Sequence, residues 1–360
     1  MEKRFPCPGC SGEMQFDPAS EQLKCPFCGQ AAPAPTSEGP IPPHPLDAAL
    51  AAPPHTSSPL ALQVSCQGCG SAVVFEPPEV AGVCPFCGSP IVAQPQAADP
   101  LIAPDAVLVF KLPKAAAQAS VTKWLASRWF APNALQRMAH PEHGIGGVYL
   151  PFWSYSTDTR SVYRGERGEY YYVAEEYDDT DDQGHTVTRT RQVRHTRWYP
   201  ASGEVARRFE DTLISGTHAV AASHLTALQP WDLGALRPYD PAYLAGFKAQ
   251  RYQLDLAGGF DAAKQVMAPR IEEDAASDIG GDEQRVEEVK TEYANSTFRH
   301  LLLPVWVGAY QFGGKVYQLA VNARTGSVHG DRPWSVVKIG ALVLVLLALI
   351  LLAVLLFGRH

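Results

Sequence analysis

Eight cysteines, all before residue 88, fall in four Cys-x-x-Cys pairs, and the pairs themselves are repeated. Fourteen residues separate Cys7-Pro-Gly-Cys10 from Cys25-Pro-Phe-Cys28, and fourteen separate Cys66-Gln-Gly-Cys69 from Cys84-Pro-Phe-Cys87. The second set follows the first at an offset of 59, which Phe16/Phe75, Pro18/Pro77 and Gly29/Gly88 share. Four thiolates in two knuckles close a tetrahedral shell around Zn²⁺ at ~2.3 Å and leave no position open for substrate. Gly9, Gly68, Pro26, Pro85, Gly29, Gly70 and Gly88 supply the small or rigid residues such knuckles need. A module of about 25 residues has too little apolar surface to fold alone, so the metal must contribute much of the folding free energy. The expectation is two structural Zn²⁺ ions per chain. One set of ligands is Cys7, Cys10, Cys25 and Cys28; the other is Cys66, Cys69, Cys84 and Cys87. Disulfides or a rubredoxin-type iron centre would use the same residues, but the spacing suits a short zinc ribbon. No cysteine is left for a disulfide framework, which fits a reducing compartment.

The other end of the chain is equally distinct. Ile339 to Phe357 is nineteen residues without a charge or a polar side chain. At ~1.5 Å per residue that run matches the ~30 Å hydrocarbon core of a bilayer, which predicts a transmembrane helix over 336–358. Only Gly358, Arg359 and His360 follow it, and no apolar leader precedes the first cysteines. Such a chain would be tail-anchored. Arg324, Arg332 and Lys338 on one flank against Arg359 on the other place the bulk of the chain in the cytoplasm, at the inner membrane. The hydrophobic content of 46% is then not all soluble core.

Between these ends the composition divides the chain into ribbon 1 (1–30), a linker (31–63), ribbon 2 (64–92), a second linker (93–104) and a domain over 105–335. Ala31 to Gln63 holds nine prolines with Ala, Ser and Thr, a composition that predicts a flexible, partly extended tether. In the domain, Lys114 to Arg137 reads as a helix with Val121, Trp124, Leu125 and Trp129 on one stripe. Gly147 to Tyr155 reads as a buried strand. Tyr170 to Tyr177 and Thr186 to Trp198 read as a hairpin. Asp240-Pro241 is a helix start with Tyr243, Leu244, Phe247 and Leu254 facing inward, and Phe260 to Ala275 is a further helix. Leu301 to Tyr310 and Lys315 to Asn322 complete a small antiparallel sheet. Leu150-Pro-Phe-Trp153 and Leu303-Pro-Val-Trp306 share a signature that suggests two related halves. The predicted class is α+β: two small four-cysteine zinc ribbons on a Pro-rich linker, one domain with an antiparallel sheet, and a C-terminal transmembrane helix.

Beyond the cysteines, the residues argue against catalysis. The hairpin carries Glu175, Glu176, Asp178, Asp179, Asp181 and Asp182 on one side and Arg189, Arg191, Arg194 and Arg197 on the other, which reads as a ladder of solvated ion pairs. From Ile271 to Glu292 nine acidic residues face two basic ones, a local −7 equal to the net charge of the chain, read as a solvated acidic segment. His140 and His143 flank a proline and lack a third ligand, so a loop pair is the simpler reading. No phosphate-cradling Gly-x-x-x-x-Gly-Lys loop, no Gly-x-Ser-x-Gly, no His-Glu-x-x-His and no dinucleotide fingerprint occurs. Ribbon 1 has Lys3, Arg4 and Lys24 with Phe5 and Phe27, but Val64 to Val92 has no Lys or Arg, which suits protein recognition better than phosphate contact.

The chain resembles a family of bacterial zinc-ribbon proteins with a C-terminal membrane span. The resemblance is carried by Lys123-Trp-Leu through Asn133, Gly147 to Trp153, Tyr163-Arg-Gly-Glu-Arg-Gly168, Leu244 to Phe247, Leu302 to Trp306, and Asn322-Ala-Arg-Thr-Gly326 through Gly330-Asp-Arg-Pro333. Members of that family are likened to primosomal protein N-prime, a superfamily II DNA helicase, or to zinc ribbons of the basal transcription factor type. The nucleotide-binding motifs of a helicase are absent, so the resemblance implies architecture rather than that activity. The function expected is a non-enzymatic, membrane-anchored adaptor or scaffold that recruits a protein partner, with no small-molecule substrate. The alternative is a nucleic-acid-binding zinc-ribbon protein of replication or transcription.

Overall fold

A computed structural model describes residues 5–34, 39–51, 62–65, 72–75, 81–83, 86, 90–92, 96–97, 102–132, 145–180 and 185–357. Ribbon 1 contributes β1 (Gln15–Asp17), β2 (Gln22–Lys24) and β3 (Ala31–Pro33), which form an antiparallel sheet. Next come β4 (His44–Pro45) and helix α1 (Leu46–Ala51). The second cysteine repeat carries β5 (Leu62–Ser65), β6 (Ala72–Phe75), β7 (Ala81–Val83), β8 (Pro90–Val92) and β9 (Gln96–Ala97). The domain begins with β10 (Ala106–Val107) and helix α2 (Lys114–Ala126), followed by β11 (Gly146–Thr180) and β12 (Thr186–Ser215). Helix α3 (Ala222–Ala227), β13 (Arg237–Pro238), a 3-10 turn at Pro241–Leu244 and β14 (Lys248–Ala249) lead to helix α4 (Leu256–Ile279). The chain ends in β15 (Glu283–Phe312), β16 (Lys315–Asn322), β17 (Val328–Gly330) and helix α5 (Val336–Phe357).

The expected α+β class is corrected by this arrangement, which is mostly β, with 45% strand against 26% helix among the described residues. Nine strands form one mixed sheet, ordered β12-β11-β15-β10-β13, with β14 also on β11, β4 and β16 on β15, and β17 on β16. The β10–β15 and β11–β14 pairs are parallel, so the sheet is not purely antiparallel. Its size comes from strands far longer than the periodicity suggested: 35 residues for β11 and 30 each for β12 and β15.

Three burial regimes along β11 explain why the length was hidden. Val148 to Tyr155 are all buried, an apolar run covered on both faces. From Ser156 to Tyr163 burial alternates, with Thr157, Thr159, Ser161 and Tyr163 inward under α4. The inward residues are hydroxylic and satisfied: Thr157 Oγ1 lies 2.8 Å from Ser296 Oγ, and Ser161 Oγ 2.8 Å from Thr291 Oγ1. Beyond Gly168, which pairs with Glu283, β15 stops and only β12 accompanies β11. There the strands form a two-stranded arm with both faces exposed. Register shifts near Ser156 bend the strand, and Asp211 and Asn295 sit at φ near +50° beside them. Asp and Asn tolerate that left-handed conformation better than other non-glycine residues.

Helix α4 starts at an Asp255 cap that accepts from Gly258 N at 2.8 Å. It buries Leu256, Phe260, Ala263, Met267, Ile271, Ala275 and Ile279. Their three- and four-residue spacing makes one stripe, whose first five residues pack with Trp153, Tyr155, Ile214 and Phe298 and whose last two pack with Tyr163. The two Leu-Pro-x-Trp segments lie side by side, with Leu150 opposite Leu303. They make matching contacts: β14 joins β11 at Val148–Tyr149, and β10 joins β15 at Leu301–Leu302. Trp153 Nε1 donates to Leu254 O and Trp306 Nε1 to Leu112 O, both at 2.9 Å.

Other expectations are adjusted locally. The first helix ends at Ala126 rather than Arg137, and Trp129 stands outside it, exposed. The Asp240-Pro241 start yields only the 3-10 turn, with Asp240 Oδ1 accepting from Ala242 N. The Pro-rich stretch is not all tether, since β4 pairs with Thr297–Phe298 and Leu46 is buried. The expected membrane span is also corrected: among the described residues no helix is long and apolar enough to cross a membrane. The bilayer as partner, the tail anchor and the single-pass inner-membrane placement rested on that span and lose their basis with it.

His300 gives the fold a pH dependence. It is buried against Trp153 and Tyr252, Nδ1 lies 3.0 Å from Ile102 O, and Nε2 has no partner among the described residues. Burial pushes its pKa down to about 4. The unfolded chain therefore takes up a proton near pH 6.5 that the folded chain refuses, so stability falls as pH drops from about 6.5 to 4. The expected loss is about 3 kcal/mol over that window. Urea titrations at pH 7 and pH 4.5 should show it, and His300→Asn should flatten that part of the slope.

Candidate metal centre

The ribbon 1 cysteines converge although their pairs are fourteen residues apart. Both knuckles have the same backbone. Cys7 N donates to Gly12 O at 2.7 Å and Ser11 N to Cys7 O at 2.8 Å; Cys25 N donates to Gln30 O at 2.8 Å and Gly29 N to Cys25 O at 3.0 Å. The residue four past the first cysteine must turn left-handed: Gly29 has φ +76°, and Ser11 holds φ +58° without the help of a glycine. The short hairpin of β1 and β2 brings the knuckles together, pairing Phe16 with Leu23.

The four Sγ atoms lie within 4.8 Å of one another. Cys7 and Cys28 are 3.4 Å apart at sulfur, as are Cys10 and Cys25. A tetrahedral shell at ~2.3 Å requires sulfur separations of about 3.8 Å, so these residues could hold one metal ion. Backbone N–H groups point at every sulfur: Cys28 and Phe27 at Cys25, Gly9 and Cys10 at Cys7, Gly12 at Cys10, and Gln30 at Cys28. Hydrogen bonds of this kind favour thiolate and prevail at Cys7 and Cys25, whereas neighbouring sulfurs push Cys10 and Cys28 up. The Cys28 amide leads in bringing the Cys25 thiol down to about 6. Cys7 and Cys25 are buried while Cys10 and Cys28 reach the surface. With all four positions taken by sulfur, such a centre holds structure rather than substrate.

No protein family profile matches the chain, and no solved structure matches it. It is similar to the uncharacterized protein YdjG of Bacillus subtilis (strain 168), with 24% identity over 243 residues, covering 67% of each chain.

Ribbon 1 is mounted on the domain by the end away from its knuckles. Phe16 N donates to Ala245 O at 2.9 Å, the Phe16 ring meets Tyr243 edge-on at 5.7 Å, and Arg237 pairs with Glu21 at 2.7 Å. At the knuckle end, Phe27 lies over Gly12, where an added Cβ would come within 2.7 Å of its ring. The outer side of that ring is free, and Phe27 is 79% exposed. Its counterpart in the second repeat, Phe86, is 1% exposed and belongs to the domain's own core. Sequence reasoning missed this difference, because an identical Cys-Pro-Phe-Cys motif precedes both environments.

The remaining expected sites divide. Cys66, Cys69, Cys84 and Cys87 lie outside the described residues, as do His140, His143, Asp181 and Asp182. In the arm, Arg189 pairs with Asp179 at 3.0 Å and Arg191 with Glu175 at 3.3 Å, both exposed. Arg194 lies over Tyr170 and Arg197 over Tyr171, with the guanidinium carbon 4.3 and 4.9 Å from the ring centroid. The acidic segment forms the end of α4 and the start of β15, and its carboxylates are exposed or half-buried. Asp274 receives two hydrogen bonds from Arg207, Asp278 accepts from Tyr163 at 2.5 Å, and Asp282 accepts from Tyr170 N at 2.7 Å. The Arg207 hydrogen bond keeps the Asp274 carboxyl below its ordinary range. These acids tie the helix to the sheet.

Proposed function

We propose that the chain is a zinc-ribbon adaptor that recruits a protein partner. On this reading, zinc is the ion of the Cys7, Cys10, Cys25 and Cys28 centre, and Cys66, Cys69, Cys84 and Cys87 hold a second. The single observation that carries it is the closed thiolate centre on a ribbon fastened to the domain at one end and open at the other. A structural centre of that kind stabilises a small recognition module and adds no reactivity of its own. The resemblance to bacterial zinc-ribbon proteins supports the same choice of metal. The alternative, nucleic-acid binding, draws no support from the arm, whose Arg189 and Arg191 face carboxylates and whose Arg194 and Arg197 cover tyrosines.

Affinity purification of the tagged full chain tests the proposal when run beside Cys7→Ser/Cys10→Ser and Cys66→Ser/Cys69→Ser variants. The expected result is a co-purifying protein that falls at least tenfold in one or both variants. A partner list unchanged in both would sink the recruiting role of the ribbons.

A further inference from the structure

We infer that the arm built from the ends of β11 and β12 joins copies of this chain edge to edge, the basic β12 edge of one copy adding as a strand to the acidic β11 edge of the next. Unpaired backbone and charge point to the same contact. Along 169–180 β11 is paired with β12 alone, and along 186–198 β12 is paired with β11 alone. Each strand of the arm therefore has one free edge among the described residues. Tyr170 shows which amides point outward: its N–H leaves the hairpin ladder and donates to the Asp282 carboxylate at 2.7 Å, where β15 begins. Bonding alternates along an antiparallel strand, so the N–H and C=O groups of Tyr172, Ala174, Glu176 and Asp178 point the same way. Their cross-strand neighbours Arg194, Gln192, Thr190 and Thr188 turn theirs to the opposite outer edge. Open edges of this kind are templates for a further strand.

Charge identifies the strand that fits. Residues 169–180 hold five acids and no Lys or Arg, and residues 186–198 hold four Arg and no acid. Two β11 edges, or two β12 edges, would set like charges opposite each other. A β12 edge against the β11 edge of a second copy instead repeats the neighbourhood within the hairpin, where Arg189 pairs with Asp179 and Arg191 with Glu175. In the hairpin's own register, the outward groups of Arg194 and Gln192 meet those of Tyr172 and Ala174 on the next copy. The arms then stack in one direction with acidic and basic strands alternating. Exposed ion pairs contribute little, so backbone bonds hold the strands together while charge selects the partner and the order. Apolar surface is covered as well, since Tyr171, Tyr172, Val173 and Tyr177 all stand exposed on the arm. A two-stranded ribbon is marginal in water, and added strands remedy that. The contact is heterologous, so the copies form a ring or an open row.

The test mixes tagged and untagged full chains and measures how much untagged chain the tagged one retains. A charge-swapped chain carries Glu175→Arg, Glu176→Arg, Asp178→Arg and Asp179→Arg with Arg189→Glu, Arg191→Glu and Arg194→Glu. These changes reverse the sign of each strand and keep opposite charges across the hairpin. The parent should retain the parent, and should retain the swapped chain at least tenfold less. The swapped chain should retain its own kind as well as the parent does. No retention between parent chains would overturn the inference. Equal retention of the swapped chain by the parent would also overturn it, by placing self-association elsewhere on the molecule. A swapped chain that fails to retain its own kind would do the same, because its cross-strand charge pairs are preserved. The ribbons take no part in this contact, so none of these results bears on the adaptor reading.

Discussion

A chain with Cys7→Ser and Cys25→Ser is expected to bind one metal ion fewer than the parent and to lose the fold of ribbon 1. The ribbon's own apolar content is small: Met14, Phe16 and Leu23 are its buried non-cysteine residues of any size. Apparent binding free energies of about 10–16 kcal/mol for structural zinc in finger-sized peptides exceed anything those three side chains supply. The knuckle amides aimed at the sulfurs would then face a hydroxyl that neither ionises nor ligates comparably. The domain should keep its own unfolding transition, since most of its buried side chains lie outside the ribbon, although the two share an apolar cluster around Phe16 and Tyr243. Metal content by elemental analysis and limited proteolysis between residues 5 and 34 read the two effects separately. A double variant with the parent's metal content and protease resistance would show that the cluster is not the ribbon's support.

Trp153→Ala should be the most damaging single change in the domain, at about 3–5 kcal/mol for an aromatic-to-alanine core truncation. Trp153 is fully buried, and His300, Tyr252 and Phe298 crowd around it with ring centroids at 4.8, 4.9 and 5.9 Å. It packs in the cluster that joins β11 to α4, and its indole N–H satisfies Leu254 O just before the helix cap. Truncation therefore opens a cavity and leaves a carbonyl without its donor. Trp153→Phe keeps most of the apolar area and removes the donor, so about 1–3 kcal/mol is expected there. Denaturant melts of the full chain would measure both. A cost below about 2 kcal/mol for the alanine variant would mean that the β11–α4 contact is not the domain's central packing.

What was legible in the sequence and what was not divide by range of interaction. The knuckle ligands are three residues apart and their pairs are joined by one hairpin, so spacing alone located ribbon 1. The apolar runs at Val148 and Leu301 were read as strands for the same reason: their neighbours are covered on both faces and need no alternation. The hairpin at 170–198 was read, but the middle of β11 and the start of β15 were not read as strand. From Thr157 to Ser161 the inward residues are hydroxylic, and from Glu283 to Glu292 the residues are largely charged. Neither looks like strand until the partner is known. Ser161 is acceptable inside because Thr291, 130 residues away, completes its hydrogen bond. Asp274 and Asp278 likewise find their partners, Arg207 and Tyr163, far off in sequence.

The sequence by itself determined that four cysteines would converge in ribbon 1, because the pairs and the hairpin between them are local. It also determined that both Leu-Pro-x-Trp segments are strand. Tertiary structure decided the rest: the opposition of Leu150 and Leu303, the 35-residue length of β11, and the contrasting surroundings of two identical knuckles. The physical reason is that burial is a property of what covers a residue. Phe27 and Phe86 share a sequence motif, yet one ring is in solvent and the other in a core. Only the sheet folded beneath Phe86 makes them different.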